Sequence, residues 1–344
     1  MAKLLPAEWE PQAAILLSWP HKDSDWADIL DQVEPDFIAL AKAILNYQKL
    51  IVVCADELTR DRLSVLLSGA SYQPIFLVYS CNDTWIRDYG PITVLENGHA
   101  SLNDFGFNGW GGKFQANRDD ACSLHLHEKI LANNKLTTHA QFLEGGAIDS
   151  NGQGVLLTTS TCLLTDTRNP GFSKFDWVKL FAEEMGIHTT LWLDSGYLEG
   201  DDTDSHVDTL ARFIAPDHIV YVKCDDPQDP HYRALLDMER QLQQQCDYHQ
   251  LDIKLTPLPW PAACFEPDDG HRLPATYANF LFLDGAVLVP TYNDAIADEK
   301  ALTLFKSLLP DYDIIPIASN NFIRQHGSVH CLTMQLPAET RVTI

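Results

Sequence analysis

The chain has 344 residues, 45% of them hydrophobic and 21% charged, an ordinary globular composition with room for a substantial core. Its 48 acidic side chains outnumber 24 basic ones, and the net charge of −24 disfavours nucleic acid and anionic lipid while favouring a small cation. No stretch approaches the ~18 consecutive apolar residues of a membrane span, and the Met1–Glu8 end lacks the apolar core of a signal peptide, so a soluble cytoplasmic protein without nucleic-acid or membrane partners is expected.

In chain order, the pattern predicts helices over Asp36–Tyr47 and Asp56–Leu67, flanking the apolar run Leu50–Cys54. A hairpin follows, Pro91–Leu95 and Ala100–Leu102 around Asn97-Gly98, then a helix over Asp119–Ala132. Gly146–Ile148 turns at Asn151-Gly152 into Val155–Thr159, ahead of a helix over Ser173–Met185. Thr209–Ile214 turns at Pro216-Asp217 into Ile219–Val222, ahead of a helix over Pro230–Cys246. Phe280–Leu283 turns at Asp284-Gly285 into Ala286–Val289, ahead of a helix over Asp298–Leu309. Asn-Gly, Asp-Gly and Pro-Asp accept the dihedrals that tight turns need, and Asp or Ser at a helix start satisfies free N–H groups. Hairpin-plus-helix units roughly sixty residues apart suggest a radially repeated α/β architecture, and no linker divides residues 1–344, so one domain is expected. Polar residues precede each hairpin: Asp88, Glu144, His206 with Asp208, and Asn279. If the units ring an axis, these converge on one pocket.

Eight cysteines occur without a C-x-x-C pair, so each is read by default as a small buried hydrophobe, Cys54 in its apolar run above all. Cys331, in Gln325-His326-Gly327-Ser328-Val329-His330-Cys331, is the exception to weigh. His206 and Asp208, two apart, share a face if they lie on a strand, and a histidine beside a carboxylate is a tunable acid/base. His330 on an extended segment points away from Cys331, which leaves His206 as the thiol's partner. Asp202, Asp204, His206 and Asp208 alternate like a calcium loop, but Val207 stands where the loop needs glycine and Phe213 where it needs glutamate. Cys122, His125 and His127 do not share a helix face, so zinc is not expected. A thiol, a histidine and paired carboxylates suit attack on a planar guanidinium, with Asp88 and Asp208 gripping its N–H donors. The same acids raise the thiol's pKa, so the thiolate is expected to form largely once the cationic substrate is bound. A non-catalytic binder of cationic amines or divalent metal, built on the acidic loop, is the alternative from another class.

The fragments Pro6-Ala7-Glu8-Trp9-Glu10-Pro11, Ser18-Trp19-Pro20, Asp83–Asp88, Asn108–Gly112, Glu144-Gly145-Gly146, Gly200–Thr203, His206-Val207-Asp208 and His330-Cys331, in that order, resemble the agmatine deiminases of the guanidine-modifying superfamily. The resemblance implies a five-bladed α/β propeller with a central site. It implies Cys331 as nucleophile through a covalent amidino intermediate, His206 as acid and then base, and Asp88 and Asp208 as the guanidinium clamp. Glu144 would line the same pocket, with Trp85, Trp110 and Asp202 around the substrate's tail. N-carbamoylputrescine and ammonia would be the products, with no metal or organic cofactor and, by analogy, a homodimer. Where that family reads Gly-Gly-Gly-Asn-Ile-His-Cys, this chain has bulkier residues at Gln325 and His326, and Ser205 replaces a glycine before the histidine. A different loop shape is expected there, and free or peptide-linked arginine stands as the alternative substrate.

Overall fold

A computed structural model describes residues 2–343. One unit recurs: an antiparallel pair of strands, then a helix that returns the chain to a third strand parallel to the second. Ile92–Glu96 pairs with His99–Gly106, and helix Cys122–Lys129 leads to Lys135–Phe142. Ile148–Ser150 pairs with Val155–Thr159, and helix Lys174–Met185 leads to Thr189–Leu193. Ala211–Ala215 pairs with His218–Val222, and helix Tyr232–His249 leads to Lys254–Leu258. Leu281–Leu283 pairs with Ala286–Thr291, and helix Ala295–Leu308 leads to Asp313–Ala318.

A further sheet joins the two ends of the chain. Thr333–Pro337 lies antiparallel to Gln12–Ser18, which continues through helix Leu30–Tyr47 to Leu50–Cys54 and through helix Glu57–Leu66 to Ile75–Val78. No sheet among the described residues closes on itself. Strands such as Leu50–Cys54 are buried throughout, as parallel strands covered on both faces are. Apolar side chains gather in two clusters, one around Leu16, Phe37, Val52 and Trp177, the other around Val220, Phe280, Val287 and Phe305. Cys54 is buried in the first, as its apolar run implies. No described helix is long and apolar enough to cross a membrane.

Local signals explain the element ends. Asn97 and Gly98 both adopt positive φ (53° and 78°), the conformation a two-residue hairpin turn requires. Asp56 accepts from Thr59 N at 2.7 Å, and Ser173 with Asp176 forms a capping box. Three expected helices are shifted. The first begins at Leu30, ahead of the expected Asp36, because buried Val33 and Phe37 extend its apolar stripe across Pro35. The last begins at Ala295, capped by Asp294. The helix expected from Asp119 starts at Cys122, because Asp119 Oδ1 accepts from Asn82 N (2.6 Å) and Asp83 N (3.2 Å). Asp119 thus shapes the loop before Trp85 instead of capping a helix.

Candidate active site

The segments leading into the hairpins carry the site. Asp88 sits in the helical turn Ile86–Tyr89, Glu144 just before the 3₁₀ turn Gly145–Ala147, and Asn279 just before Leu281–Leu283. His206 and Asp208 do not lie on the expected strand. His206 precedes the 3₁₀ turn Val207–Thr209, and the strand begins only at Ala211. The turn follows from what Asp208 must reach, the His330 ring and the Asn279 amide. His330 and Cys331 are likewise in a turn, not an extended segment.

Asp88 is buried, with Oδ1 accepting from Gly146 N (2.9 Å) and Oδ2 from Trp110 Nε1 (2.9 Å). Burial, with Asp208 and Glu144 nearby, pushes its carboxyl up to about 6 against the pull of His206. A Cβ on Gly146 would lie 2.6 Å from His206 Nδ1 and 2.8 Å from Asp88 Oδ1, so only glycine permits this approach. His206 Nδ1 is 3.6 Å from Asp88 Oδ1, and Nε2 is 3.6 Å from Glu144 Oε2. Burial opposes its charge, but Asp88, Cys162 and Glu144 hold its pKa well above the usual histidine value.

Cys331 Sγ lies 3.1 Å from Asn279 Nδ2 and 3.5 Å from Asp208 Oδ2. Burial, then Asp208 and Asp88, push the thiol well above its ordinary pKa. Asp208 is held low despite burial, chiefly by His330. No hydrogen bond joins Cys331 to His206 among the described residues; the acids Asp88 and Asp208 lie between their roles, each touching one of them.

Trp85, Asp88, Trp110, Asp202 and Cys331 line a solvent-open cleft of about 430 Å³, together with Asp25 and Asp83. Its lining contains no lysine or arginine. Glu144, His206 and Asp208 lie beneath it, outside the lining. A larger cavity, about 650 Å³, is lined by Glu8, Arg87, Asp149 and His330 and reaches neither Cys331 nor His206. Trp110 serves Asp88 directly through its indole N–H, beyond walling the cleft.

Several residues at the site carried no local signal. Arg168 donates from Nε to both Glu144 oxygens (2.8 and 2.9 Å) and from Nη1 to Asp204 (2.6 Å). Glu144, Cys162 and His206 offer ligand atoms within 4.8 Å of one another. With Arg168 on both Glu144 oxygens, that trio acts as an electrostatic cluster, because a bound cation would face the guanidinium. Arg168 is one basic residue in a loop, and its partners come from distant segments. Asn279, by contrast, was expected before its hairpin, and it holds the Cys331 segment by accepting from His330 N and Cys331 N at Oδ1. In the altered loops, Ser205 (φ 67°) and His326 (φ 70°) keep left-handed backbone that glycine favours, so bulkier side chains stand on a glycine-type path. Chemically, the arrangement offers negative charge for a planar cation, a thiol in the cleft lining and a charged imidazole outside that lining.

Related proteins have the same shape. Agmatine deiminase of Pseudomonas aeruginosa (strain LESB58) is 30% identical over 97% of this chain and 95% of its own. A C. jejuni agmatine deiminase with substrate bound superposes with a TM-score of 0.90 at 35% identity, covering 98% and 96% of the two chains. A Porphyromonas gingivalis structure, provisionally named an arginine deiminase, gives a TM-score of 0.92 at 42% identity over 98% and 99%. The model of the Porphyromonas-type peptidyl-arginine deiminases matches residues 4–337, and the chain belongs to that family.

Proposed function

We propose that this protein is an enzyme that hydrolyses agmatine to N-carbamoylputrescine and ammonia through a covalent intermediate on Cys331. The observation that carries the reading is the thiol 3.5 Å from Asp208 in a cleft lined also by Asp88 and lacking lysine and arginine. Asp88 and Asp208 grip the guanidinium: each Asp88 oxygen keeps a second lone pair beyond the one bond it accepts, and Asp208 Oδ1 has no partner among the described residues, whereas its Oδ2 is taken by His330, Asn279 and the thiol. The bound cation offsets both acids, so Cys331 gives its proton to solvent and ionises in the complex. The thiolate attacks the central carbon and a C–S bond forms. The C–N bond then breaks as His206 passes its proton to the leaving nitrogen, which departs as ammonia. Water adds to the same carbon, giving one proton to His206; the C–S bond then breaks as the carbonyl forms, and the hydroxyl's remaining proton passes to the departing sulfur, which returns Cys331 as the thiol. Glu144 and Asp88 keep His206 charged for the first of these transfers.

Trp85, Trp110 and Asp202 surround the butylamine tail, with a carboxylate for its amine. The five like sheets form five blades of one domain around this cleft, which accounts for the lead-in segments meeting each other: Gly146 N on Asp88, Arg87 N on Cys331 O, and His330 N on Asn279 O. A second reading, deimination of arginine, is favoured by the Porphyromonas gingivalis neighbour. The acidic lining supports agmatine over it, because an amino acid's carboxylate would meet Asp25, Asp83 and Asp202 with no lysine or arginine to pair with. The test is ammonia release from agmatine and, separately, from arginine after chelator treatment. Agmatine turnover with little from arginine is expected; release from arginine alone, or none from either, overturns the proposal.

A further inference from the structure

The deimination chemistry leaves one buried group at the nucleophile without a role, the His330 imidazole. Its Nδ1 is 2.7 Å from Asp208 Oδ2 and its Nε2 is 2.6 Å from Glu8 Oε2. A neutral imidazole has one N–H and one bare nitrogen. Between two ionised acids, the bare nitrogen would set a lone pair against a carboxylate lone pair in surroundings that screen little. Glu8 is ionised: Arg212 Nη2 donates to the same oxygen at 2.8 Å, and Phe282 N to the other at 2.8 Å. Asp208 accepts from the Asn279 amide and faces the thiol.

The charged groups facing His330 are therefore Glu8 and Asp208, with the guanidiniums of Arg212 and Arg87, and Cys331 beyond Asp208. Asp149 faces Arg212 from the far side. Burial first, then Arg212 and Arg87, pull the ring's pKa below the usual histidine value, and Glu8 and Asp208 oppose them. The two ring contacts decide in favour of the charged form, since only a doubly protonated ring donates to both acids.

We propose that His330 is an imidazolium clamped between Glu8 and Asp208, and that it serves as a positioning residue for the thiol. It fixes Asp208 beside Cys331 and offsets that acid's charge, so the thiolate forms more readily than beside an uncompensated pair of carboxylates. The inference rests on the deiminase reading only in taking Cys331 as the nucleophile.

The ring's protonation is measurable without substrate. His330-Cys331 is the only His–Cys peptide in the chain, so ¹³C-histidine with ¹⁵N-cysteine labelling singles it out, and ¹⁵N ring shifts report its protons. Two protonated ring nitrogens from pH 7 to 9 are expected, and one bare nitrogen overturns the proposal. Alkylation of Cys331 by iodoacetamide, followed by peptide mass mapping, gives the thiol's titration midpoint. In His330→Gln that midpoint is expected to rise by about one unit, whereas loss of packing alone would leave it in place. An unmoved midpoint also overturns the proposal. If that variant does not fold, the wild-type spectrum decides. Neither readout needs turnover, so failure here is distinct from absence of ammonia release.

Discussion

Cys331 shares its burial with six of the other seven cysteines, Cys264 being half-buried, so its neighbours set it apart and not its burial. A thiol between two carboxylates is a poor nucleophile until a cation arrives, and this ties reactivity to substrate binding. Replacing it is expected to cost turnover by at least about 10⁴-fold while agmatine still binds, measured by ammonia release and by calorimetry on Cys331→Ala. That variant also isolates the clamp. Because the Asp88 carboxyl lies at about 6, it is neutral below that pH and cannot pair with a cation. Agmatine affinity in Cys331→Ala is expected to strengthen as pH rises through about 6 and then level off. In Asp88→Asn the step is expected to vanish and binding to weaken. At this scale short motifs singled out Cys331, Asp88, His206 and Asp208, which the fold brings together. The sequence placed Asn279 before a hairpin but not beside the thiol, and it was silent on Arg168 and on what Glu8 touches, because a salt bridge or amide contact across the fold leaves no trace beside either partner.

The loops around the cleft are shaped by backbone demands. A Cβ on Gly327 would stand 2.2 Å from Trp85 Cζ3, so the loop before the nucleophile lies flat on that indole. Gly327→Ala is expected to displace Trp85 and raise KM roughly tenfold with a smaller change in kcat, read from steady-state kinetics. Arg168 joins the Glu144 segment to the acidic loop through Asp204. Arg168→Met is expected to cost about 3 kcal/mol in urea unfolding, because it leaves the buried Glu144 carboxylate without its cation. Caps such as Asp56 and Ser173 were legible because their partners lie three residues away. Asp119 misled for the same reason in reverse: its oxygen serves Asn82 and Asp83, distant in the chain. The strand expected at His206 and Asp208 gives way to a turn, since alternation in two residues cannot separate a strand from a 3₁₀ segment whose side chains are claimed by other segments.

At the scale of the molecule, hairpin turns announced four of the like sheets. The remaining one was hidden because Thr333–Pro337 and Gln12–Ser18 come from opposite ends of the chain, and pairing across that distance has no local pattern. That pairing follows directly after Cys331, so the place of its thiol depends on both ends folding together. A net charge of −24 surrounds the acidic cleft. Added salt is expected to lower kcat/KM for agmatine while leaving kcat nearly constant, because screening slows the approach of a cation. The central claim is a covalent bond between Cys331 sulfur and the guanidinium carbon. Acid quenching of the enzyme during agmatine turnover, followed by peptide mass mapping, tests it most directly. The account predicts a Cys331 peptide heavier by agmatine less ammonia; an adduct on another residue, or turnover surviving in Cys331→Ala, would contradict it.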